Sequence, residues 1–351
     1  MGGMPSLTVL VSPDSLKGSL GAVEAAESIA AGFREGDRRA EVIVHPISDG
    51  GDSLIDVVRY RLGGRVAVAR VDDPLGRPVD ASYLVLDDGT AIVESAQAIG
   101  LPLLAASELD PHRASSRGFG ELLAAVDADP SVSRIIVGLG GVATVDGGAG
   151  LREAFPSLGK PLTIASDVRN PLLGERGAAA VFGPQKGATP DDVPLLEARL
   201  AALGFPPEVA QHPGAGAAGG LGAMLLSMGA ELLSGIDLVL ELTGWHDELR
   251  RADLVITGEG SVDGSTADGK AVSGIVAAAS GAGVLVVVFG GLVDPDAAEL
   301  LRERGVAEVV ALSGDITRAA DDAFELGRRL GARKSPAPGE RLRGFSTPPG
   351  T

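Results

Sequence analysis

The sequence has no cysteine, few aromatic residues and only four histidines. Without cysteine, the chain can form neither a disulfide framework nor a thiolate metal site or nucleophile. Aromatic residues make up 3% and the formal net charge is −17. Nucleic-acid binding needs a basic surface and stacking platforms, so we expect no nucleic-acid partner.

Long apolar runs are also missing. No run approaches the ~18 residues of a membrane span. The opening MGGMPSLTVLVSP carries no cationic segment before its apolar stretch. We therefore predict a cytoplasmic protein that does not contact membranes. Because 351 residues exceed the ~250–300 that one hydrophobic core serves, we also predict two domains.

Strand and helix patterns alternate along most of the chain. Residues 7–11 and 41–44 read as strands, each followed by a loop and then a helical segment, at 22–33 and 53–62. Between 65 and 96, apolar segments separated by turn sequences predict antiparallel strands. Later strands alternate with helices, which favours parallel sheets; they are predicted at 135–137, 162–165, 254–257, 284–289 and 306–312.

Glycine-rich loops follow many of these strands. In open α/β sheets ligands bind beyond the carboxyl ends of the strands, so these loops are candidates for one shared crevice. They are residues 14–19 (DSLKGS), 49–51 (DGG), 138–150 (GLGGVATVDGGAG), 214–222 (GAGAAGGLG) and 258–270 (GEGSVDGSTADGK).

Carboxylates and lysines in or beside the loops suit phosphoryl transfer, which needs positioning, cations on the phosphates and acids for Mg²⁺. Each aspartate equally fits a turn or helix N-cap, and each lysine a solvated surface. The candidates are Asp14, Asp49, Asp146, Asp167, Glu259, Asp263, Lys17, Lys186 and Lys270.

The sequence matches other nucleotide-binding and catalytic motifs only in part or not at all. Residues 264–270 fit G-x-x-x-x-G-K, but Ala271 follows where a P-loop needs Ser or Thr. Residues 138–143 fit G-x-G-x-x-A, yet no acid for a ribose follows ~20 residues on. There is no G-x-S-x-G or H-E-x-x-H motif. We expect the scattered histidines to be surface or cap residues: His45, His112, His212 and His246.

The loops resemble, in order, those of the bacterial glycerate kinases (type 1). The resemblance runs from about Leu7 to Leu312. It rests on PDSLKGSL, DGGDS, SSRGFGEL, GGVATVDGGAGL, DVRNPLLGERGAAAVFGPQKGAT, PGAGAAGGLGA and ADLVITGEGSVD with a following GK. The stretches NPLLGERGAAAVFGPQKGAT and PGAGAAGGLGA are long and unusual, so we identify the chain as a divergent, shortened member of that family.

The resemblance implies ATP-dependent phosphorylation of D-glycerate, typically to 2-phosphoglycerate, with Mg²⁺. It implies a two-domain α/β fold with the active site between the domains. We expect a Rossmann-like parallel-sheet domain from residues 1–64 and 246–334, an inserted α/β domain with an antiparallel portion at 65–245, and a disordered tail at 335–351. A monomer or homodimer is expected.

The family motifs map onto residues of this chain, and we assign each residue a role as a hypothesis. Catalysis is assigned to Lys17, Asp49, Asp146 and Asp167, and Mg²⁺ binding to Asp167, Glu259 and Asp263. Nucleotide or substrate binding is assigned to Asp14, Ser15, Gly50, Gly51, Gly147, Gly148, Asn170, Gln185, Lys186, Gly258, Glu259 and Lys270.

The chain departs from the family at four loop positions. Val142 and Val145 replace a polar pair of the family's GGSATNDGGAG, and we expect both to be lost substrate contacts. Ser261 and Ser265 replace an arginine and a glutamine, which removes a planar donor fork suited to anions. A kinase of another small hydroxy acid, or a non-catalytic relative, therefore remains an alternative.

Overall fold

The computed structural model describes residues 7–16, 18–267 and 271–333. These residues divide by their internal contacts into two compact units. The first unit contains 7–48 and 239–333, and the second unit contains 49–238. Lys17, Lys270 and the predicted tail at 335–351 lie outside the described residues.

The strands follow the predicted apolar segments closely. In chain order they are β1 (Thr8–Val11), β2 (Glu41–Val44), β3 (Arg65–Asp72), β4 (Pro78–Val85), β5 (Thr90–Glu94), β6 (Arg134–Gly138), β7 (Leu162–Ala165), β8 (Glu231–Leu233), β9 (Leu254–Val262), β10 (Leu285–Val293) and β11 (Glu308–Ala311).

Helices lie between most of the strands. They are α1 (Ala22–Gly36), α2 (Leu54–Leu62), α3 (Ala96–Ile99), α4 (Arg117–Ala128), α5 (Ala149–Ala154), α6 (Ala178–Phe182), α7 (Asp192–Ala201), α8 (Pro207–Ala210), α9 (Ala217–Ser227), α10 (Gly235–Thr243), α11 (Trp245–Leu249), α12 (Gly264–Ala267), α13 (Ala271–Gly281), α14 (Pro295–Glu303) and α15 (Ala319–Gly331).

The first unit is built on a parallel sheet with the strand order β11-β10-β9-β1-β2. Its central strands are apolar on both faces, as expected of a sheet covered by helices. Helices α1 and α15 pack tightly on one another because glycine lets their backbones approach: a Cβ on Gly32 would lie 1.9 Å from the carbonyl oxygen of Phe324. The predicted Rossmann-like α/β arrangement is confirmed.

The second unit holds a mixed sheet with the order β3-β4-β5-β6-β7-β8. Strands β3, β4 and β5 are antiparallel, and β5 to β8 are parallel. The predicted antiparallel portion is therefore confirmed. Strand β8 was not predicted, because it has three residues, ELL, and these alternate between exposed and half-buried positions.

The boundaries between the units differ from the predicted ones. The chain enters the second unit after Ser48 rather than after residue 64, and leaves it after Leu238 rather than after 245. Helix α2 is the reason: it packs on β4 and β5, and it buries Leu54, Val57 and Val58. In the part of the chain that the structure describes, no helix combines the length and apolar character needed to cross a bilayer.

Candidate functional site

The Asp49–Ser53 loop, residues 49–53, lies across the carboxyl ends of β6 and β7. Gly50 has a φ of +84°, and a Cβ there would lie 2.5 Å from the carbonyl oxygen of Ala165, the last residue of β7. A Cβ on Gly138, the last residue of β6, would lie 2.5 Å from the carbonyl oxygen of Gly50. Glycine is required at both positions, because any side chain would push the loop off the strand ends.

Two predicted catalytic carboxylates come together at this edge. Asp49 is half-buried and its Oδ1 accepts the N–H of Gly51 at 2.8 Å. Asp167, which follows β7, accepts the N–H of Gly235 at 3.0 Å and of Ile236 at 3.1 Å, at the start of α10. Gly235 also links the two acids, since a Cβ there would lie 1.9 Å from the carbonyl oxygen of Asp49.

The electrostatics of Asp167 reflect this crowding. Burial raises the pKa of Asp167, and the negative charge of Asp49 raises it further. The N–H groups of Ile236 and Gly235 and the side chain of Ser234 oppose that rise by stabilising the carboxylate. A raised carboxyl pKa beside a second acid is a frequent property of catalytic and metal-binding sites.

Asp146 has a different environment. It is 1% exposed. Its Oδ2 accepts the backbone N–H and the hydroxyl of Ser116, both at 2.8 Å, and the N–H of Gly150 at 3.2 Å. Its Oδ1 accepts the N–H of Gly148 at 3.1 Å, where α5 begins. With both oxygens engaged, this geometry favours the turn and helix-cap interpretation, which the sequence also allowed.

Lys186 is buried rather than presented on a surface. It is 2% exposed, and its Nζ donates to the carbonyl oxygen of Thr144 at 2.8 Å. Burial lowers the pKa of Lys186 to about 7, and the nearby charge of Asp146 only partly offsets this. The neighbouring Gln185 is exposed. Lys186 therefore stabilises the turn that contains Thr144, Asp146, Gly147 and Gly148.

The loop at 214–222 packs against the same turn. A Cβ on Gly219 would lie 1.9 Å from the carbonyl oxygen of Thr144. Asn170 joins the segment after β7 to this loop. Its Nδ2 donates to the carbonyl oxygen of Arg176 at 2.8 Å, and its backbone carbonyl accepts the N–H of Gly216 at 2.9 Å. Here the glycines serve close backbone packing.

The carboxyl edge of the first unit carries a second set of candidates. The N–H of Asp14, beyond β1, donates to the carbonyl oxygen of Gly258 in β9 at 2.9 Å. Asp14 and Ser15 are each 6% exposed, and Glu259 and Asp263 follow on β9 and just beyond it as half-buried residues. The predicted loops 14–19 and 258–270 therefore meet at one sheet edge in their described parts.

The predicted Mg²⁺ ligands do not form a preformed cluster. Among residues 7–16, 18–267 and 271–333, no three His, Asp or Glu side chains converge as a metal site. Mg²⁺ commonly uses one or two carboxylates together with phosphate oxygens and water. Asp167 supplies one fixed carboxylate at an edge that it shares with Asp49, and this donor chemistry fits an Mg²⁺ ion completed by phosphate oxygens and water.

Comparison with known proteins identifies the family. The sequence profile described as the glycerate kinase family matches residues 9–159 and 156–331. The chain belongs to the glycerate kinase family. A glycerate kinase of Halalkalibacterium halodurans is 37% identical, over 92% of this chain and 95% of that protein. The glycerate 2-kinase of Escherichia coli K12 is 34% identical, over 91% of this chain and 93% of that protein.

A solved structure agrees with this assignment. The crystal structure of the protein named glycerate kinase 2 in Salmonella typhimurium LT2 has a TM-score of 0.76 and 32% identity to this chain. The match covers 93% of this chain and 98% of that one. The fold and the family resemblance of the loops are both confirmed.

Two of the departures from other glycerate kinases are core positions. Val142 is 2% exposed and Val145 is fully buried. Val145 packs in an apolar cluster with Leu172 and Leu196. The burial of both side chains argues against the expectation that these valines replace substrate contacts. Ser261 is exposed near the end of β9. The side chain of Ser265 is not among those that the structure describes.

His45 also differs from expectation. It is fully buried, not a surface or cap residue. Its Nδ1 lies 2.5 Å from Oε2 of Glu248, and its Nε2 lies 2.8 Å from Oγ1 of Thr243. A buried imidazole requires polar partners, and this one has them from α10 and α11. His112 and His246 are exposed, as expected.

Glu94 is a buried carboxylate that the sequence analysis missed. It ends β5, a strand in which every residue is buried, and is 7% exposed. Its Oε1 accepts the N–H of Ile55 at 2.8 Å, in the first turn of α2. The available signal was an acidic residue at the end of an apolar strand, directly before a short helix.

Proposed function

We propose that this member of the glycerate kinase family transfers the γ-phosphoryl group of ATP to D-glycerate in the cytoplasm, forming 2-phosphoglycerate and ADP. The observation that carries the proposal is alignment with glycerate kinases over more than nine-tenths of the chain. Transfer to the C2 hydroxyl is supported by the relative named glycerate 2-kinase. The paired acids at the edge of the second unit supply chemistry of the required kind.

Asp49 is our candidate for the general base. The C2 hydroxyl oxygen attacks the γ-phosphorus, the bond from that phosphorus to the bridging oxygen of ADP breaks, and the hydroxyl proton passes to a carboxylate. The hydrogen bond to Gly51 uses only Oδ1 of Asp49, which leaves Oδ2 for that proton. Asp146 is the poorer candidate, since four donors already occupy its oxygens.

Asp167 is our candidate for holding Mg²⁺, with Asp49 beside it. Two backbone N–H groups fix the Asp167 carboxylate, and each of its oxygens keeps further lone pairs. When bound, Mg²⁺ neutralises charge on the transferred phosphoryl group. Since the pKa of Asp167 is raised in the protein without metal, protons should compete with Mg²⁺ for this carboxylate at higher pH than for an ordinary aspartate.

The carboxyl edge of the first unit is our candidate for the ATP phosphates. Backbone N–H groups of glycine loops and lysine side chains are suited to polyanions. Ser15 and Gly258 lie at this edge. Lys17 and Lys270 belong to the same two loops in the sequence, and we propose them as the cations, with Glu259 and Asp263 as further Mg²⁺ ligands.

The test is D-glycerate-dependent release of ADP by the purified chain with Mg²⁺-ATP. Asp49→Asn preserves the acceptor for the Gly51 N–H but removes the base, so kcat should fall by about 10²-fold or more. Asp80→Asn is the control, because Asp80 is an exposed acid of the same unit paired with Arg70. No ADP release above the rate without D-glycerate, or release unchanged in Asp49→Asn, would refute the proposal.

A further inference from the structure

We propose that Glu94 is a positioning residue for the Asp49–Ser53 loop: its buried carboxylate fixes the first turn of α2 and thereby sets where the Asp49 carboxylate lies. This inference rests on the proposed function, because Asp49 is the proposed base. In this proposal Glu94 acts through the backbone of α2 and not on the substrate. Its role is to hold the backbone that carries Asp49.

The contacts of Glu94 reach the loop from the sheet. Glu94 is paired with Gly138 at the carboxyl ends of β5 and β6. Its Oε1 accepts the N–H of Ile55 at 2.8 Å, and its Oε2 accepts Nε2 of Gln97 at 3.2 Å. One buried side chain therefore joins strand β5, helix α3 and the start of α2.

Helix α2 needs such a partner. Its N-cap residue, Ser53, makes no side-chain cap hydrogen bond and has a φ of +67°, in the left-handed region that non-glycine residues rarely adopt. Within the same loop Gly50 is also left-handed. A helix start normally gains a cap from its own N-cap side chain, and here the carboxylate of Glu94 supplies it instead.

At the end that faces β7, the Asp49–Ser53 loop has little freedom to move. The Gly50 backbone lies against Ala165, and the carbonyl oxygen of Asp49 lies against Gly235. Loss of the Glu94 contact would therefore release the α2 end of the loop and leave the β7 end fixed. The N–H of Gly51, which lies between the two ends, donates to Oδ1 of Asp49 at 2.8 Å, so a shift that starts at the α2 end changes the direction of the Asp49 carboxylate.

The charge around Glu94 is consistent with a role as an acceptor in a closed site. Burial raises the pKa of Glu94, and the negative charges of Asp56 on α2 and Asp52 in the loop raise it further, while the donors Ile55 and Gln97 lower it. The N–H of Ile55 needs an oxygen, which glutamine also offers. The conservative Glu94→Gln variant should therefore keep the function that Glu94→Ala and Glu94→Asp lose.

The experiment compares Glu94→Ala, Glu94→Asp and Glu94→Gln with Glu121→Ala. Glu121, on α4 in the same unit, is the matched control, since it is half-buried and its Oε2 accepts the N–H of Asp72 at 2.9 Å. Steady-state kinetics with D-glycerate and Mg²⁺-ATP give kcat and KM, and hydrogen exchange measures the amides of residues 49–57 in the protein without substrates.

We expect Glu94→Ala and Glu94→Asp to lower kcat by about 10-fold or more, since a misplaced catalytic group costs rate even when binding persists. KM for ATP should change by less than about twofold. Amides at 49–57 should exchange faster in both variants, and Glu94→Gln should restore slow exchange and most of the turnover. Glu121→Ala should lower the melting temperature without either effect.

The two readouts separate this inference from the proposed function. Faster exchange at 49–57 in a chain that never phosphorylates D-glycerate would refute the function and leave the structural role of Glu94 standing. Should Glu94→Ala fail to fold, Glu94→Asp carries the test. Wild-type exchange and wild-type kcat in folded Glu94→Asp, or losses in Glu94→Gln as large as in Glu94→Asp, would overturn the inference.

Discussion

The backbone N–H of Gly235 donates to the carboxylate of Asp167 at 3.0 Å. The same glycine lies so close to the carbonyl oxygen of Asp49 that a Cβ would come within 1.9 Å of it. One residue at the start of α10 therefore fixes the positions of both acids that we propose for catalysis and Mg²⁺ binding.

The first prediction follows from this contact. Gly235→Ala should push the Asp49 loop away from Asp167 and lower kcat for D-glycerate by about 10-fold or more, because sub-ångström placement governs transfer. Steady-state kinetics provide the measurement. Gly281→Ala is the control, since a Cβ at that helical glycine meets open space. Equal kcat for Gly235→Ala and the wild type would show that this contact does not position the acids.

Lys186 gives a prediction about pH and stability. Its folded-state pKa of about 7 lies below the ordinary value of 10.5, so the unfolded chain binds more protons between these values. The free energy of unfolding should therefore gain a contribution that rises from about pH 7 to 10.5, by at most about 1.4 kcal/mol per pH unit. Lys186→Met should remove that contribution.

Denaturant unfolding at several pH values compares the two proteins. Lys160→Met is a suitable reference, because the half-buried Lys160 also donates to a backbone carbonyl, that of Asp129, at 2.7 Å. The change in the free energy of unfolding in Lys160→Met measures the effect of removing one lysine-to-carbonyl hydrogen bond. Identical pH dependence in the wild type and Lys186→Met would mean that the ammonium of Lys186 is not penalised by burial.

Val145 tests the correction to the sequence-based expectation. Because Val145 is fully buried in an apolar cluster, Val145→Asn should bury an unpaired amide and destabilise the protein by about 1–3 kcal/mol. KM for D-glycerate should not improve. Val181→Asn serves as the exposed comparison, at 44% exposure. A lower KM in Val145→Asn without loss of stability would return this position to the acceptor site.

At Ser261, in contrast to Val145, we predict that restoring the family's residue lowers KM for D-glycerate. It is exposed at the end of β9, where the family pattern has arginine. Ser261→Arg should lower KM for D-glycerate by about one to two decades if the added guanidinium group binds an anion, since a charged hydrogen bond contributes about 1.5–3 kcal/mol. Ser107→Arg, at an exposed serine of the other unit, controls for added positive charge. Equal KM values in the two variants would exclude that role.

The sequence predicted most of the parallel strands well because they contain short apolar segments rich in β-branched residues, such as residues 135–137 in β6 and 286–288 in β10. It also predicted the Asp49 loop, since a glycine pair directly after an acid between strand and helix has few structural uses. The role of Asp146 was open, because an aspartate before glycine fits both a cap and a base. Only its four donors, which come from distant and local segments alike, favour the cap.

Other positions depend on tertiary packing that no local pattern encodes. Val145 stands among small and polar residues in a glycine-rich loop, and its burial arises from helices such as α7, far along the chain. His45 is enclosed by residues about 200 positions later. Glu94 appears in the sequence as an ordinary strand-end acid, and its contact with α2 follows from the sheet order.

The most direct test of the central claim is the phosphorus NMR spectrum of the product formed from D-glycerate and Mg²⁺-ATP. Transfer to the C2 hydroxyl places the phosphate next to a single proton, so the new ester resonance should be a doublet. Transfer to the C3 hydroxyl would give a triplet and contradict the proposed regiochemistry. A spectrum that shows ATP and ADP with no new ester would contradict phosphorylation of D-glycerate by this chain.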